Sequence, residues 1–175
     1  MARIRGFIAS SLDGFIATRD GKLDWLTKYD DMDFGEVGYD RFIAPIRTIV
    51  MGRATYDWIL ANADWPYTER RSIVVTSRPL PQAPAGVEVW SRGVDALVAD
   101  LRARDDGDVW MAGGGALQMA FIERSGLDEL DLTIVPELIG GGVPLFPPTG
   151  MALSPQLVAV TPLPRSVVHL RYRFG

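Results

Sequence analysis

The chain of 175 residues contains no cysteine and a single histidine. Without cysteine there are no disulfides, thiol nucleophiles, iron–sulfur ligands or thiolate zinc sites. One histidine cannot build a histidine-cluster metal centre, so no metal is expected. A serine–histidine–aspartate triad would have to use His169. That residue sits in Val167-Val168-His169-Leu170-Arg171-Tyr172, whose alternation reads as a strand. Positive charge is not in excess either: the net charge is −4, which argues against a broad nucleic-acid surface. No stretch approaches the ~20 consecutive apolar residues of a membrane span. The apolar run within Met1–Ala9 is too short for a signal-peptide core. These absences point to a cytoplasmic protein whose partner is a small molecule, not a nucleic acid or a membrane.

What is present is an ordinary globular composition, 47% hydrophobic and 23% charged, with no repeat and no low-complexity linker. Residues 1–175 read as one domain. Arg3–Ala9 reads as a first strand, and Ser10–Lys28 as a polar, glycine-bearing connection. Phe34–Pro45 has helical spacing, Thr48–Met51 is a short buried strand, and Thr55–Leu60 begins a second helix. Arg71–Thr76 and Gly86–Trp90 are strands, Val94–Arg104 is an amphipathic helix, and Val109–Ala112 is a strand running into Gly113-Gly114-Gly115 and a helix to about Glu123. Leu130–Val135 is a further strand. The segments 156–162 and 166–172, separated by Leu163-Pro164-Arg165, suit an antiparallel hairpin. Strands alternating with helices imply an α/β fold with a mostly parallel sheet, helices on both faces and the hairpin at one edge. Ligands of such sheets sit beyond the carboxyl ends of the strands, so the residues just after each strand matter most.

Three strand ends carry suggestive residues. In Met51-Gly52-Arg53-Ala54-Thr55-Tyr56 a strand stops at glycine, and an arginine and a threonine open a helix. Helix N-termini bind phosphate through free N–H groups and the positive dipole end, although a plain helix cap with a surface arginine would have the same spacing. In Val75-Thr76-Ser77-Arg78-Pro79 two hydroxyls and a guanidinium follow a strand directly. That composition holds an adenosine 2′-phosphate, or forms a polar turn before a proline. In Ala112-Gly113-Gly114-Gly115-Ala116-Leu117 a strand enters three glycines and a helix. This can cradle a pyrophosphate or serve tight strand–helix packing. It is not the dinucleotide fingerprint, because Gln118 occupies the third glycine position. The second cluster, Gly140-Gly141-Gly142, precedes Pro144 and no helix, and reads as a loop.

Together with Ala9-Ser10-Ser11-Leu12-Asp13-Gly14-Phe15-Ile16-Ala17, Pro136-Glu137-Leu138 and Pro144-Leu145-Phe146, these motifs resemble the dihydrofolate reductase superfamily. The closer resemblance is to its branch of stand-alone proteins similar to the reductase domain of bacterial riboflavin biosynthesis, over nearly the whole chain. The resemblance implies a three-layer dihydrofolate reductase-like fold and NADPH as cofactor. It places Ala9 and Ile16 against the nicotinamide, and Gly52, Arg53 and Thr55 on phosphates. Thr76, Ser77 and Arg78 would hold the 2′-phosphate, and Gly113, Gly114, Gly115 and Leu117 would pack on the pyrophosphate and nicotinamide. It also implies one buried carboxylate on the helix before the Met-Gly-Arg strand. An ungapped count from Met51 lands on Glu36 as the catalytic candidate, with Asp33 and Asp40 flanking it on the substrate side. A solvated acidic helix start explains these carboxylates equally well. Trp25 is either a stacking surface near that pocket or ordinary core.

The expected activity is NADPH-dependent reduction of a pyrimidine- or pterin-like compound. Reduction of 5-amino-6-(5-phosphoribosylamino)uracil comes first and dihydrofolate reduction second; a non-catalytic NADPH-binding module and a ligand-free scaffold are the alternatives. The cysteine-dependent zinc deaminase domain of the bifunctional riboflavin enzyme has no counterpart here, and Arg41 and Arg47 are the only candidates for a substrate phosphate. The hairpin residues Val158, Val160, Val168 and Tyr172 would leave an apolar edge or face, and the resemblance supports a homodimer.

Overall fold

Short runs rich in β-branched residues, separated by glycine- and proline-bearing turns, build an eight-stranded sheet in the order β5-β4-β3-β6-β1-β7-β10-β9. The computed structural model describes residues 2–175. The elements are β1 (Ile4–Ser11), β2 (Phe15–Ala17), α1 (Asp24–Thr27), α2 (Tyr39–Ile43), β3 (Ile46–Gly52), α3 (Arg53–Asn62), β4 (Arg71–Val75), β5 (Val87–Trp90), α4 (Val94–Arg102), β6 (Asp108–Gly113), α5 (Gly115–Ile122), β7 (Glu129–Val135), β8 (Val143–Pro144), β9 (Gln156–Pro162) and β10 (Val168–Arg173). Every neighbouring pair from β5 to β7 is parallel. The hairpin β9–β10 closes the β7 edge in antiparallel sense. This is the expected three-layer α/β architecture with a C-terminal antiparallel hairpin.

The two faces of the sheet bury different sets of residues. On one, Ile4, Val50, Ile73, Val109, Met111 and Leu130 pack against Leu97 and Leu101 of α4 and Phe121 and Ile122 of α5. On the other, Ile49, Met51, Val74 and Trp110 meet Phe42 of α2 and Tyr56 and Ile59 of α3. A satellite cluster under the 23–34 segment joins Trp25 and Tyr29 to Val135 and Val167. Among the described residues, no helix is long and apolar enough to cross a membrane.

Two local departures from the sequence reading have physical causes. The helix expected over 34–45 is two pieces, a 3-10 turn at Gly35–Val37 and the short α2. Gly38, extended at φ −75° and ψ 165°, breaks it, and Gly35 adopts φ 53° just before. The connection 10–28 is also more ordered than expected. It contains α1 and β2, and β2 pairs with β8 in a separate two-stranded ribbon. The second glycine cluster makes that pairing fit: a Cβ on Gly142, at φ +152°, would lie 2.0 Å from the Ala17 carbonyl oxygen.

The outer strand β9 is exposed along nearly its whole length, with Leu157, Val158 and Val160 each more than 40% accessible. Gln156-Leu157-Val158-Ala159-Val160-Thr161-Pro162 carries no charge. It therefore lacks the charged residues that usually protect a free sheet edge.

Candidate functional site

The parallel pairing brings the glycine-bearing strand ends together. Met51 of β3 is in register with Gly113 of β6, so α3 and α5 start side by side. Gly113 sits at φ +125°, and the Gly113–Gly114 peptide is cis. A Cβ on Gly113 or Gly114 would lie 3.6 or 3.7 Å from the Thr55 hydroxyl, and one on Gly52 would lie 3.8 Å from the Gly114 nitrogen. Gly52, Thr55, Gly113 and Gly114 thus form one patch of bare backbone and a hydroxyl at two helix starts. Leu117 borders it, its Cδ2 4.0 Å from the Gly52 Cβ position. Gly115 answers a different need: a Cβ there would meet the Pro144 carbonyl oxygen at 2.6 Å.

The hydroxyl–arginine motif lies next along the sheet. The Thr76 amide donates to the Trp90 carbonyl at 3.0 Å, and the Thr76 hydroxyl accepts the Arg78 amide at 3.1 Å. The Arg53 guanidinium donates to the Pro79 carbonyl at 3.2 Å and is held by Asp57 at 2.7 Å. Arg53 therefore spans from the first motif to the second, while Ser77 and Arg78 stay exposed. Sequence reading missed Arg92, which lies over the Trp90 ring at 3.9 Å, just past the end of β5. Its signal was available: Ser91-Arg92 repeats at β5 the hydroxyl–arginine composition seen after β4.

Ala9, near the end of β1, and Ile16, on β2, are half-buried, and Ile16 and Leu117 both pack against the core under the patch. The loop between β1 and β2 is tied down. The Ser11 hydroxyl donates to Asp13 at 2.6 Å, and the Ile139 and Gly140 amides donate to the same carboxylate at 3.2 and 2.8 Å. The Ser11 hydroxyl, helped by these amides, holds the Asp13 carboxyl below its usual range. The loop containing the second glycine cluster thus latches onto the β1–β2 loop.

The carboxylates expected on a substrate side, Glu36, Asp33 and Asp40, all lie exposed. Glu36 is 82% exposed and pairs with Arg41 at 2.9 Å. It stands on the 3-10 turn at the rim of a small cleft of ≈110 Å³ and is not an enclosed carboxylate. The break at Gly38 leaves Glu36 on a separate 3-10 turn, not on one helix with α2. Asp33 caps the same turn by accepting the Gly35 amide at 2.8 Å, and it is exposed, as is Asp40. Trp25 is buried in the satellite cluster, the core reading of that residue.

The buried carboxylate on this side is Asp131 of β7, on the floor of the cleft. It receives Arg171 Nε at 2.7 Å and Arg5 at 3.2 Å, and lies 3.0 Å from His169 Nε2. Burial pushes its carboxyl up, but the hydrogen bonds from His169 and Arg171 and the positive charges of Arg171 and Arg5 outweigh burial and hold it below the usual aspartate range. The signal was the alternation of Asp131 and Thr133 with Leu130 and Leu132, matched by His169 and Arg171 on β10. Phe7 and Phe42, stacked at 4.6 Å, line the same cleft. Outside its lining, Tyr39 and Tyr67 each meet Trp110 edge-on at 5.8 Å. Burial pushes the Tyr67 phenol well above its usual value. A separate apolar groove of ≈240 Å³ lies between α5 and the 146–155 segment and holds none of these groups.

Comparison with known proteins matches residues 2–169 to the RibD C-terminal domain family. The chain is 33% identical over 141 residues to the uncharacterized protein YwjB of Bacillus subtilis, covering 80% of each. A putative riboflavin biosynthesis protein from Shewanella sp. PV-4 superposes with a TM-score of 0.87 at 31% identity, over 100% of this chain and 99% of that one. Dihydrofolate reductase from Enterococcus faecalis, solved with NADP(H), shares the fold at a TM-score of 0.71 and 23% identity, over 98% and 95% of the two chains.

Replacing Asp131 by alanine would leave the buried Arg5 only its longer contacts to Asp108 at 3.5 Å and Glu129 at 3.7 Å, and would remove the hydrogen-bond partner of His169 Nε2. We expect a loss of about 1–3 kcal/mol in urea unfolding at pH 7. Because the folded carboxyl titrates below the unfolded one, its contribution is complete above about pH 4 and is lost as the pH falls through the folded value. The gap between wild type and Asp131→Ala should therefore narrow in acid; a gap that stays constant to pH 2 contradicts the assignment.

Proposed function

Because the chain belongs to the RibD C-terminal domain family, we propose that it is an NADPH-dependent reductase of pyrimidine- or pterin-like C=N or carbonyl compounds. Reduction of 5-amino-6-(5-phosphoribosylamino)uracil stands ahead of dihydrofolate reduction. The observation that carries this reading is the convergence of Gly52, Thr55, Gly113 and Gly114 at adjoining strand ends, with Arg53 reaching to the Thr76–Arg78 turn. That patch fits a pyrophosphate: bare amides at two helix starts, a hydroxyl, and no side chain where an anion would rest.

When bound, the cofactor supplies the hydride; the chain supplies position and electrostatics. In this reading Gly52, Thr55, Gly113 and Gly114 hold the pyrophosphate. Arg53, Thr76, Ser77 and Arg78, joined by Arg92, take the 2′-phosphate end. Ala9, Ile16 and Leu117 line the nicotinamide position, and the latched 11–14 loop closes over it. The Phe7 and Phe42 rings, which line the cleft, offer a flat heterocycle an aromatic surface. The exposure of Glu36 favours one second reading, a module that binds NADPH without turning over either substrate class.

We propose also that the protein is a homodimer in which the uncharged β9 edges of two copies pair antiparallel. Its unpaired backbone and the apolar side chains on both of its faces support this.

Titrating NADPH and NADH into the protein, followed by quenching of its five tryptophans, tests the cofactor. We expect micromolar NADPH binding at least ~10-fold tighter than NADH, and Arg78→Ala should erase most of that preference. Binding of neither nucleotide below millimolar concentration would sink the reductase reading. Light scattering tests the dimer: wild type should run at twice the chain mass and the double variant Val158→Lys/Val160→Lys at one. A wild type that is monomeric at tens of micromolar would refute β9 pairing.

A further inference from the structure

The only histidine of the chain is not used by the reading above. It is 2% exposed, yet both ring nitrogens are engaged. Nε2 lies 3.0 Å from Asp131 Oδ1, and Nδ1 lies 3.1 Å from the Thr133 hydroxyl. With Asp131 ionised, Nε2 must carry a hydrogen toward it, so Nδ1 faces Thr133 as acceptor in the neutral ring and as donor in the charged one. Strand register shows where this chain of hydrogen bonds leads. Thr133 is opposite Ala9 on one side and His169 on the other. Ala9, Thr133 and His169 thus form one row across a single face of the sheet. The next row, Phe7, Asp131 and Arg171, floors the cleft.

We propose that Thr133 is the group that hands a proton to the substrate, and that His169, oriented by Asp131, is the positioning residue that recharges it. The proposal rests on the reductase reading. The carbon of the substrate's C=N or C=O bond accepts a hydride as NADPH is oxidised to NADP+. The nitrogen or oxygen of that bond accepts the Thr133 hydroxyl proton. Thr133 takes the Nδ1 proton of the charged imidazole, which becomes neutral and keeps its Nε2–H on Asp131. Across the step, one hydride and one proton add to the double bond, and water restores the imidazole proton after product leaves. Glu36 has no part in this route, since it points to solvent on the rim.

The groups that face the ring and bear on its charge are Asp131 from β7, Arg171 from its own strand and Arg5 from β1. Glu36 and Arg41 lie across the cleft. Arg5 and Arg171 oppose a second positive charge and Asp131 favours it, so the relay requires that the ring can take that charge while the protein stays folded.

A single histidine makes this measurable without substrate. Two-bond proton–nitrogen NMR on the full chain labelled at histidine should show Nε2 protonated and Nδ1 bare at high pH. Nδ1 should protonate reversibly within the native fold as pH falls, with both signals shifting when NADPH is added. A ring that stays neutral until acid unfolding overturns the relay. In turnover with NADPH and either a ribosylaminopyrimidine or dihydrofolate, kcat should fall as pH rises past the loss of the imidazole proton. That limb should vanish in His169→Gln. Thr133→Val should lower kcat about 100-fold with NADPH affinity within about 2-fold, and Thr133→Ser should recover most of it. Thr133→Val with wild-type kcat overturns the proposal while leaving the reductase reading standing. Failure of the wild-type chain to bind NADPH overturns both.

Discussion

Parallel pairing from β5 through β7 is the constraint on which the rest of the molecule depends. It sends the carboxyl ends of strands far apart in sequence to one edge of the sheet. Gly52 and Gly113, some sixty positions apart, become neighbours there. So do Arg53 and the Pro79 carbonyl, and the loop after β1 and the loop after β7. Each of these ends opens into a helix or a tight loop, so the edge is rich in free backbone amides and poor in side chains. Glycine is required at particular points of that edge for distinct reasons. Gly113 and Gly114 keep the space beside the Thr55 hydroxyl clear, whereas Gly115 and Gly142 admit the close backbone approach of Pro144 and Ala17.

The antiparallel hairpin contributes something the parallel strands cannot. It brings His169 and Arg171 onto the same face as Thr133 and Asp131 and buries an ionic cluster beside an aromatic one. Such a cluster is a poor source of net stability, because desolvation offsets most of the attraction. Its members do hold one another in fixed orientation, which suits a site where a proton must leave one atom and arrive at another. Arg165, in the hairpin turn, donates to Asp31 at 2.8 Å and to the Lys28 carbonyl at 2.6 Å. The hairpin therefore also anchors the segment that covers this face.

The sheet, the crossover helices and the hairpin were legible in the sequence, because β-branched runs and amphipathic spacing report burial directly. The strand-end motifs stood out too, but a helix cap, a polar turn or tight packing would carry the same residues, and only the parallel register brings Gly52, Thr55, Gly113 and Gly114 together. The exposure of Glu36 was not legible, and the reason is local. Counting back from Met51 assumes one continuous helix, and the two glycines at 35 and 38 break it, so Glu36 turns outward. Asp131 carried the stronger pattern, a charged residue alternating with leucines in a strand. Its meaning depended on Arg5, His169 and Arg171 meeting it, and non-local pairing of that kind leaves no trace in spacing. Arg92 was missed for the opposite reason: its motif was local and visible, but β5 is short and at the edge.

The strand-end edge is the proposed cofactor site. Hydrogen exchange of the backbone amides, with and without saturating NADPH, reads that edge directly. Slowed exchange should be confined to residues 9–16, 52–56, 76–79 and 113–118, with β9 and the 150–155 segment unchanged. Protection that falls elsewhere, or bound nucleotide with no protection at 52–56 and 113–118, would contradict it.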